Sequence, residues 1–249
     1  PTGEHTICYG FVPDPITIST PATGGNGQYY YQWLRRSEGN SNFSVIVGAT
    51  STSYAPNALF KSTEYVLEVT SACNDSRYTD TVCIHVREQL HAPILKEHLD
   101  TICYNTIPEP IIAEMGAKGG IDDSFKYQWQ VSNDGVNFNN IIGEIDTVYQ
   151  PDALLQKQYY RLQATSEKLC GDLFSNVIEQ NVYDSLHIII SSPIEPICYM
   201  TSAKIDVSVS GGGGNYSYQW QQSSDSIHFN DIPSAIQPVY ETEILPNGK

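Results

Sequence analysis

The 249-residue sequence predicts an all-β fold, β-sandwich repeats of about 95 residues in tandem with the third repeat truncated. Three observations predict it. Cys8, Cys103 and Cys198 recur 95 residues apart, each between an Ile and a Tyr. Each is followed by a Tyr-Gln-Trp, at Tyr31 to Trp33, Tyr127 to Trp129 and Tyr218 to Trp220. The composition, with 17 Tyr against 2 Met and with 18 Gly and 14 Pro, belongs to strands and turns rather than to helical bundles.

The elements follow in order. A first strand lies at Cys8. Ile16 and Ile18 alternate with Thr17 and Ser19, and Gly24-Gly25 ends that run. Tyr29, Tyr31 and Trp33 share one face of the next strand. Phe43 to Val47 is short and stops at Gly48, and another strand lies near Tyr54. Tyr65, Leu67 and Val69 share a face, as do Val82, Ile84 and Val86. About seven short strands in about 95 residues is the pattern of an immunoglobulin-like sandwich. The same landmarks return as Phe138 and Phe229, Tyr149 and Tyr240, and Leu154 and Leu245. The units are 1–90, 91–186 and 187–249. The core candidates are Trp33, Trp129 and Trp220, joined by Tyr65 and Tyr160, which follow Leu59 and Leu154 at a corner where a buried Tyr can hydrogen-bond back to the chain. The third unit lacks counterparts of the last two strands. If it is ordered, some other segment is expected to fill the side of the core left open at Trp220.

Charge excludes whole classes of partner. The formal net charge is −15, and only 13 Lys and Arg are present, in no run. Nucleic acid is therefore not expected as a ligand, nor an anionic membrane surface. No stretch of 18 apolar residues exists; Leu186 to Ile190 is interrupted by His187. The sequence opens at Pro1 without a signal-peptide pattern, so a processed protein or a piece of a longer one is expected.

Six cysteines allow 15 pairings. The second unit contains only Cys103 and Cys170, and their counterparts in the first are Cys8 and Cys73. Taking the first strand to begin at the end where the last hairpin turns, the expected bridges are Cys8–Cys73 and Cys103–Cys170. Cys83 and Cys198 are expected to stand outside both. Each bridge closes a loop of roughly 65 residues, worth about 4 kcal/mol in the chain-entropy model. Disulfides imply an oxidising compartment.

Catalytic chemistry finds no foothold, and neither an enzyme nor a cofactor is expected. His5, His85, His91, His98, His187 and His228 do not recur at equivalent positions. No His-Glu-x-x-His, Gly-x-Ser-x-Gly or phosphate-binding loop occurs. Gly211 to Gly214 occupies the turn held by Gly24-Gly25 and Gly119-Gly120. Asp122-Asp123 and Asn133-Asp134-Gly135 suggest calcium, but the full loop pattern is missing and the second reads as a hairpin turn. Tyr30 is an outward aromatic of the kind a carbohydrate platform uses, although alternation alone produces such residues. Asp followed by Ser or Thr and an aliphatic residue occurs five times, with Thr81, Thr101, Thr147, Ser185 and Ser226 as the hydroxyl residues. About one or two would be expected from composition.

The second unit keeps the fullest pattern: Ile102-Cys103-Tyr104, Gly119-Gly120, Tyr127-Gln128-Trp129-Gln130, Ser132-Asn133-Asp134-Gly135 with Phe138, Ile141-x-Gly143, Tyr149-x-Pro151, Leu154, Tyr159-Tyr160-Arg161, Thr165-Ser166, Cys170-Gly171 and Ser175-Asn176-Val177. This pattern resembles the Ig-like (PKD-like) repeats of large Bacteroidota surface proteins, including gliding and adhesion proteins exported by the type nine secretion system. The first unit departs from it at Leu34-Arg35-Arg36, positions that read as surface. The resemblance implies an extracellular, cell-surface location, a non-catalytic stalk or adhesin role beside neighbouring repeats, and no catalytic residues to carry over. It also makes the five Asp-Ser/Thr sites candidates for O-glycosylation. The competing reading is a carbohydrate-binding module of a secreted hydrolase, which requires a planar row of exposed aromatics on one face.

Overall fold

The computed structural model describes residues 5–25, 27–97, 100–120, 123–166, 170–192, 198 and 200–244. Asp122, Leu245 and part of the third cysteine motif (195–197 and 199) lie outside them. Among the described residues every regular element is a β-strand.

The first repeat comprises β1 (His5–Ile7), β2 (Ile16–Thr17), β3 (Tyr29–Ser37), β4 (Ser44–Val45), β5 (Ser53–Tyr54), β6 (Thr63–Ser71), β7 (Ser76–Tyr78) and β8 (Val82–Val86). One sheet is ordered β1-β8-β6-β3-β4, with β7 also on β6, and β2 pairs with β5 in a second. The period-two alternation of β3, β6 and β8 sends one face of each inward. Trp33 stands opposite Leu67 in register. Both pack with Tyr65, Val82 and Ile84 against Ile16 and Leu59 from across the sandwich. Strand β1 is parallel to β8, with Ile7 beside Val86. The first strand therefore runs in the direction of the last one, toward the point where the chain leaves the repeat.

A linker strand β9 (Glu88–His91) leads into the second repeat. There follow β10 (Ile94–Leu95), β11 (Ile111–Met115), β12 (Lys118–Gly120), β13 (Phe125–Ser132), β14 (Asn139–Asn140), β15 (Val148–Tyr149), β16 (Gln158–Ser166), β17 (Asp172–Phe174) and β18 (Ile178–Gln180). The larger sheet is β14-β13-β16-β17, with β18 on β16, and the facing sheet is β10-β11-β15. Trp129, Tyr160, Leu162 and Ile178 meet Leu95 and Ile111 in its core. Ile102 bridges Val182 in parallel, repeating the β1–β8 arrangement.

The recurrent Tyr-Gln-Trp has a structural explanation in each copy. The indole N–H, which must find an acceptor once buried, donates to a backbone carbonyl 17 or 18 residues on: Ser51 at 2.9 Å, Asp146 at 2.8 Å and Gln237 at 2.8 Å. The neighbouring Gln donates to the carbonyl of Ile46, Ile141 or Ile232 at 2.7–2.9 Å. The motif thus fixes both the core and the loop that follows it. Tyr54 and Tyr149 lie between the Trp and the corner Tyr of their repeats, with ring centroids 5.6–6.1 Å apart. The hydroxyl-to-backbone bond expected of the corner is not made: among the described residues neither the Tyr65 nor the Tyr160 hydroxyl is hydrogen-bonded.

The third repeat contributes β19 (His187–Ser191), β20 (Lys204–Ser210), β21 (Gln221–Gln222), β22 (Asn230–Asp231) and β23 (Val239–Glu241). The sheet β19-β20-β23 matches β10-β11-β15, and Trp220 stacks on Tyr240 as Trp129 packs on Tyr149. No described residue plays the part of β6 or β16. Trp220 is accordingly half-exposed, and so is Ile205, which pairs with Tyr240 as the buried Ile111 pairs with Tyr149. A cleft of about 520 Å³ opens between Ile188, Ile190, Val207, Val209 and Trp220. Trp220 is thus not the enclosed core residue expected, and none of the described residues fills the gap beside it.

Candidate functional site

Among the described residues no cluster of metal-binding side chains occurs, and the site the fold builds is the junction between the first two repeats. It begins with the direction of β1. Because β1 runs parallel to β8, Cys8 lies beyond its end, at the pole where the chain exits. There the Gly10 N–H donates to the Leu59 carbonyl (2.8 Å), the Leu59 N–H to the Phe11 carbonyl (3.0 Å), and the Arg87 N–H to the Ile7 carbonyl (3.0 Å). Tyr9 and Phe60 make an edge-to-face pair at 5.1 Å beside them.

From Arg87 the chain continues into β9, which pairs antiparallel with β12 of the second repeat. This pairing explains the glycine pair at 119–120. Both residues have positive φ, +93° and +73°. A Cβ on Gly119 would fall 2.0 Å from the Gln89 carbonyl oxygen. Only glycine lets the turn approach the linker so closely. The third repeat repeats the device, for a Cβ on Gly211 would lie 1.9 Å from the Ser185 oxygen.

The covalent element of the junction corrects the expected cysteine pairing. Cys8 is bonded to Cys170, with Cα atoms 5.4 Å apart and a separation of 162 positions in sequence. Neither Cys8–Cys73 nor Cys103–Cys170 forms. The reason is strand direction. Cys73 lies in the β6–β7 turn, at the pole where β8 begins, whereas Cys8 stands past the end of a strand parallel to β8 and so at the opposite pole. Cys103 is separated from Cys170 in the same way, since it follows Ile102 in its parallel bridge. A turn that is too far from the first-strand cysteine of its own repeat is next to that of the repeat before it. Cys73, Cys103 and Cys198 are exposed thiols. Cys83 takes no part in the disulfide, and its sulfur lies 3.9 Å from His85 Nδ1.

The remaining candidates fall on surfaces. Thr81, Thr101, Thr147 and Ser226 are exposed; Ser185 is partly buried and bonded to His187 Nε2 at 2.9 Å. The Asp134 carboxylate is engaged by its own turn, accepting from the N–H groups of Asn137 and Val136, the Asn137 side chain and the Ser132 hydroxyl. Those bonds, led by the Asn137 backbone N–H, hold it well below the usual carboxylate range. Asp225 is held low likewise, chiefly by the His228 backbone N–H, then by the His228 side chain, the Ile227 N–H and the Ser223 hydroxyl. These oxygens are committed to turn geometry, and no group of three or more metal-binding side chains occurs among the described residues. Tyr30 is 65% exposed. On the second repeat the Arg161 guanidinium sits between Phe138 and Phe174, 4.1 and 4.2 Å from their centroids, so a cation covers the faces that a sugar would stack on.

Comparison with known proteins gives two family matches. The model described as domain of unknown function (DUF8696) matches residues 1–88 and 96–184. The model described as SprB repeat matches residues 192–225. No curated protein sequence matches the chain. Among solved structures, Drosophila OTK extracellular domains 3–5 are 12% identical, with 98% of this chain and 86% of that one covered and a TM-score of 0.29. The N-terminal four Ig domains of Dscam1 isoform 6.9 are 10% identical over 97% of this chain and 64% of that one, with a TM-score of 0.34. Against Dscam1 isoform 8.4 the match spans 44% of that chain, at 13% identity and a TM-score of 0.30.

Proposed function

Because the chain belongs to the family described as domain of unknown function DUF8696, in a tandem that ends on an SprB repeat match, we propose that it is a non-catalytic stalk or adhesin segment of a large bacterial surface protein. The observation that carries this reading is the junction. A disulfide and a shared pair of strands fix one repeat on the next, which serves a part whose task is to hold a binding region at a distance. Three units, 1–90, 91–186 and 187–249, are spacers in this reading, and the adhesive contact is made by a cell-surface or glycan-bearing partner of the array they belong to. The disulfide supports an oxidising, extracellular setting. The Ile-Cys-Tyr and Tyr-Gln-Trp pattern supports export by the type nine secretion system of Bacteroidota. Thr81, Thr101, Thr147, Ser185 and Ser226 are then modification sites.

Intact cells of the native host, probed with antibody against this chain, are expected to label without permeabilisation. The protein shaved from them is expected to weigh more than the bare polypeptide. Labelling that requires permeabilisation would contradict the surface role, and a bare mass would remove the glycans alone.

A further inference from the structure

We propose that Cys73, Cys103 and Cys198 are half-sites of the same inter-repeat disulfide that Cys8 and Cys170 complete. Cys103 and Cys198 each bond the turn cysteine of the repeat that follows, and Cys73 bonds the first-strand cysteine of a repeat packed ahead of it. The proposal rests on reading the chain as a stretch of a repeat array.

The backbone builds the donor half three times. Two residues beyond each cysteine stands a residue of positive φ: Gly10 at 77°, Asn105 at 58° and Met200 at 60°. The Gly10 N–H reaches the Leu59 carbonyl at 2.8 Å, and the Asn105 N–H reaches that of Leu154 at 2.7 Å. The carbonyl of Cys8 accepts from the Phe11 N–H and that of Cys198 from the Thr201 N–H, at 3.1 and 3.2 Å. Cys103 and Cys198 are therefore held as Cys8 is, and Cys8 is bonded.

The acceptor half is built twice. Cys170 lies in the turn closed by the Ser166 N–H on the Gly171 carbonyl, and Cys73 in the turn closed by the Ser71 N–H on the Asp75 carbonyl. An independent feature marks the same pole of the first repeat. Gly24 has φ +91°, matching the +93° of Gly119, yet among the described residues a Cβ on it would meet nothing within 4 Å, where Gly119 abuts the linker. The turn has the shape that receives a linker strand in the second repeat, and no described residue takes that place. A cleft of about 290 Å³, lined by Thr23, Gly24, Gly25, Ser71, Asp75 and Arg77, lies at this pole, and Ser71 and Asp75 flank Cys73 in its turn. The occupant of this cleft is the linker strand of an adjoining repeat of this type, whose first-strand cysteine then stands beside Cys73 as Cys8 stands beside Cys170.

Each bond forms from two thiols, one sulfur–sulfur bond replacing two S–H bonds. The two protons and two electrons pass to a disulfide oxidant, which is reduced to two thiols.

The test is disulfide mapping of the protein as its native cell secretes it, denatured without reduction and alkylated at once. Cys73 is expected in a bond to a cysteine that follows the first strand of a repeat, and Cys103 in a bond to a turn cysteine. An unreduced mass of one polypeptide places the partner in the same chain; a doubled mass places it in a second copy; both accord with the pairing proposed. Alkylated Cys73 and Cys103 beside an intact Cys8–Cys170 bond, or Cys73 bonded to Cys8 or Cys83, would overturn it. Surface labelling could still succeed in that case, so the two readings fail separately.

Discussion

Tyr65 and Tyr160 sit at 1% and 2% exposure in the centres of the first two repeats. Burial is the main cause that raises their phenols, Tyr65 to about 12 and Tyr160 further. A folded-state pKa above the unfolded value of about 10 stabilises the fold fully below pH 10 and loses that contribution as pH rises toward 12. The protein is expected to unfold in that alkaline window. Absorbance titration should show these two tyrosines ionising only with unfolding, and the Tyr65→Phe variant should resist base better in the first repeat. Ionisation of both near pH 10 in the folded protein would contradict this. The core places of these two tyrosines and of Trp33 and Trp129 were legible from spacing alone, whereas that of Trp220 was not. The role of Gln32 was not: alternation assigns it to the face away from Trp33, and only the structure shows its amide turning to the carbonyl of Ile46.

Among the elements, the glycine turn was readable as a turn, while its purpose was not. Glu88 to His91 carries no alternation that would mark a strand, so nothing in the sequence announces that it pairs with Lys118–Gly120. The three residues of β1 were likewise too few to reveal that Cys8 stands past the strand's end rather than at its start, and the cysteine pairing went wrong with that placement. Substitution of Gly119 tests the element directly. Gly119→Ala combines a φ of +93° with a Cβ 2.0 Å from the Gln89 oxygen. It is expected to cost about 1–3 kcal/mol and to speed amide exchange in the β9–β12 pair. Gly24→Ala, with a φ of +91° and no described atom within 4 Å of the added Cβ, should leave that exchange unchanged. Equal exchange in wild type and Gly119→Ala would show that the close approach has no structural role.

At the scale of the whole molecule, two sandwiches with separate cores are tied into one unit. A cross-link spanning 162 residues is worth about 5 kcal/mol in the chain-entropy model, and it couples the unfolding of both repeats. Repeat length, strand count and core landmarks fixed this architecture in advance, because periodicity reports what lies within a repeat. What passes between repeats depends on which pole each cysteine occupies, and that follows from chain direction rather than from spacing. The central claim is that the staple holds the first repeat at a set orientation to the second. Spin labels on unnatural amino acids at Tyr30 and Val136, both exposed, read it directly through the distance distribution between them. One narrow distribution is expected in the oxidised protein, at least doubling in width when Cys8 and Cys170 are both replaced by Ser. Distributions of equal width in the two proteins would contradict the account.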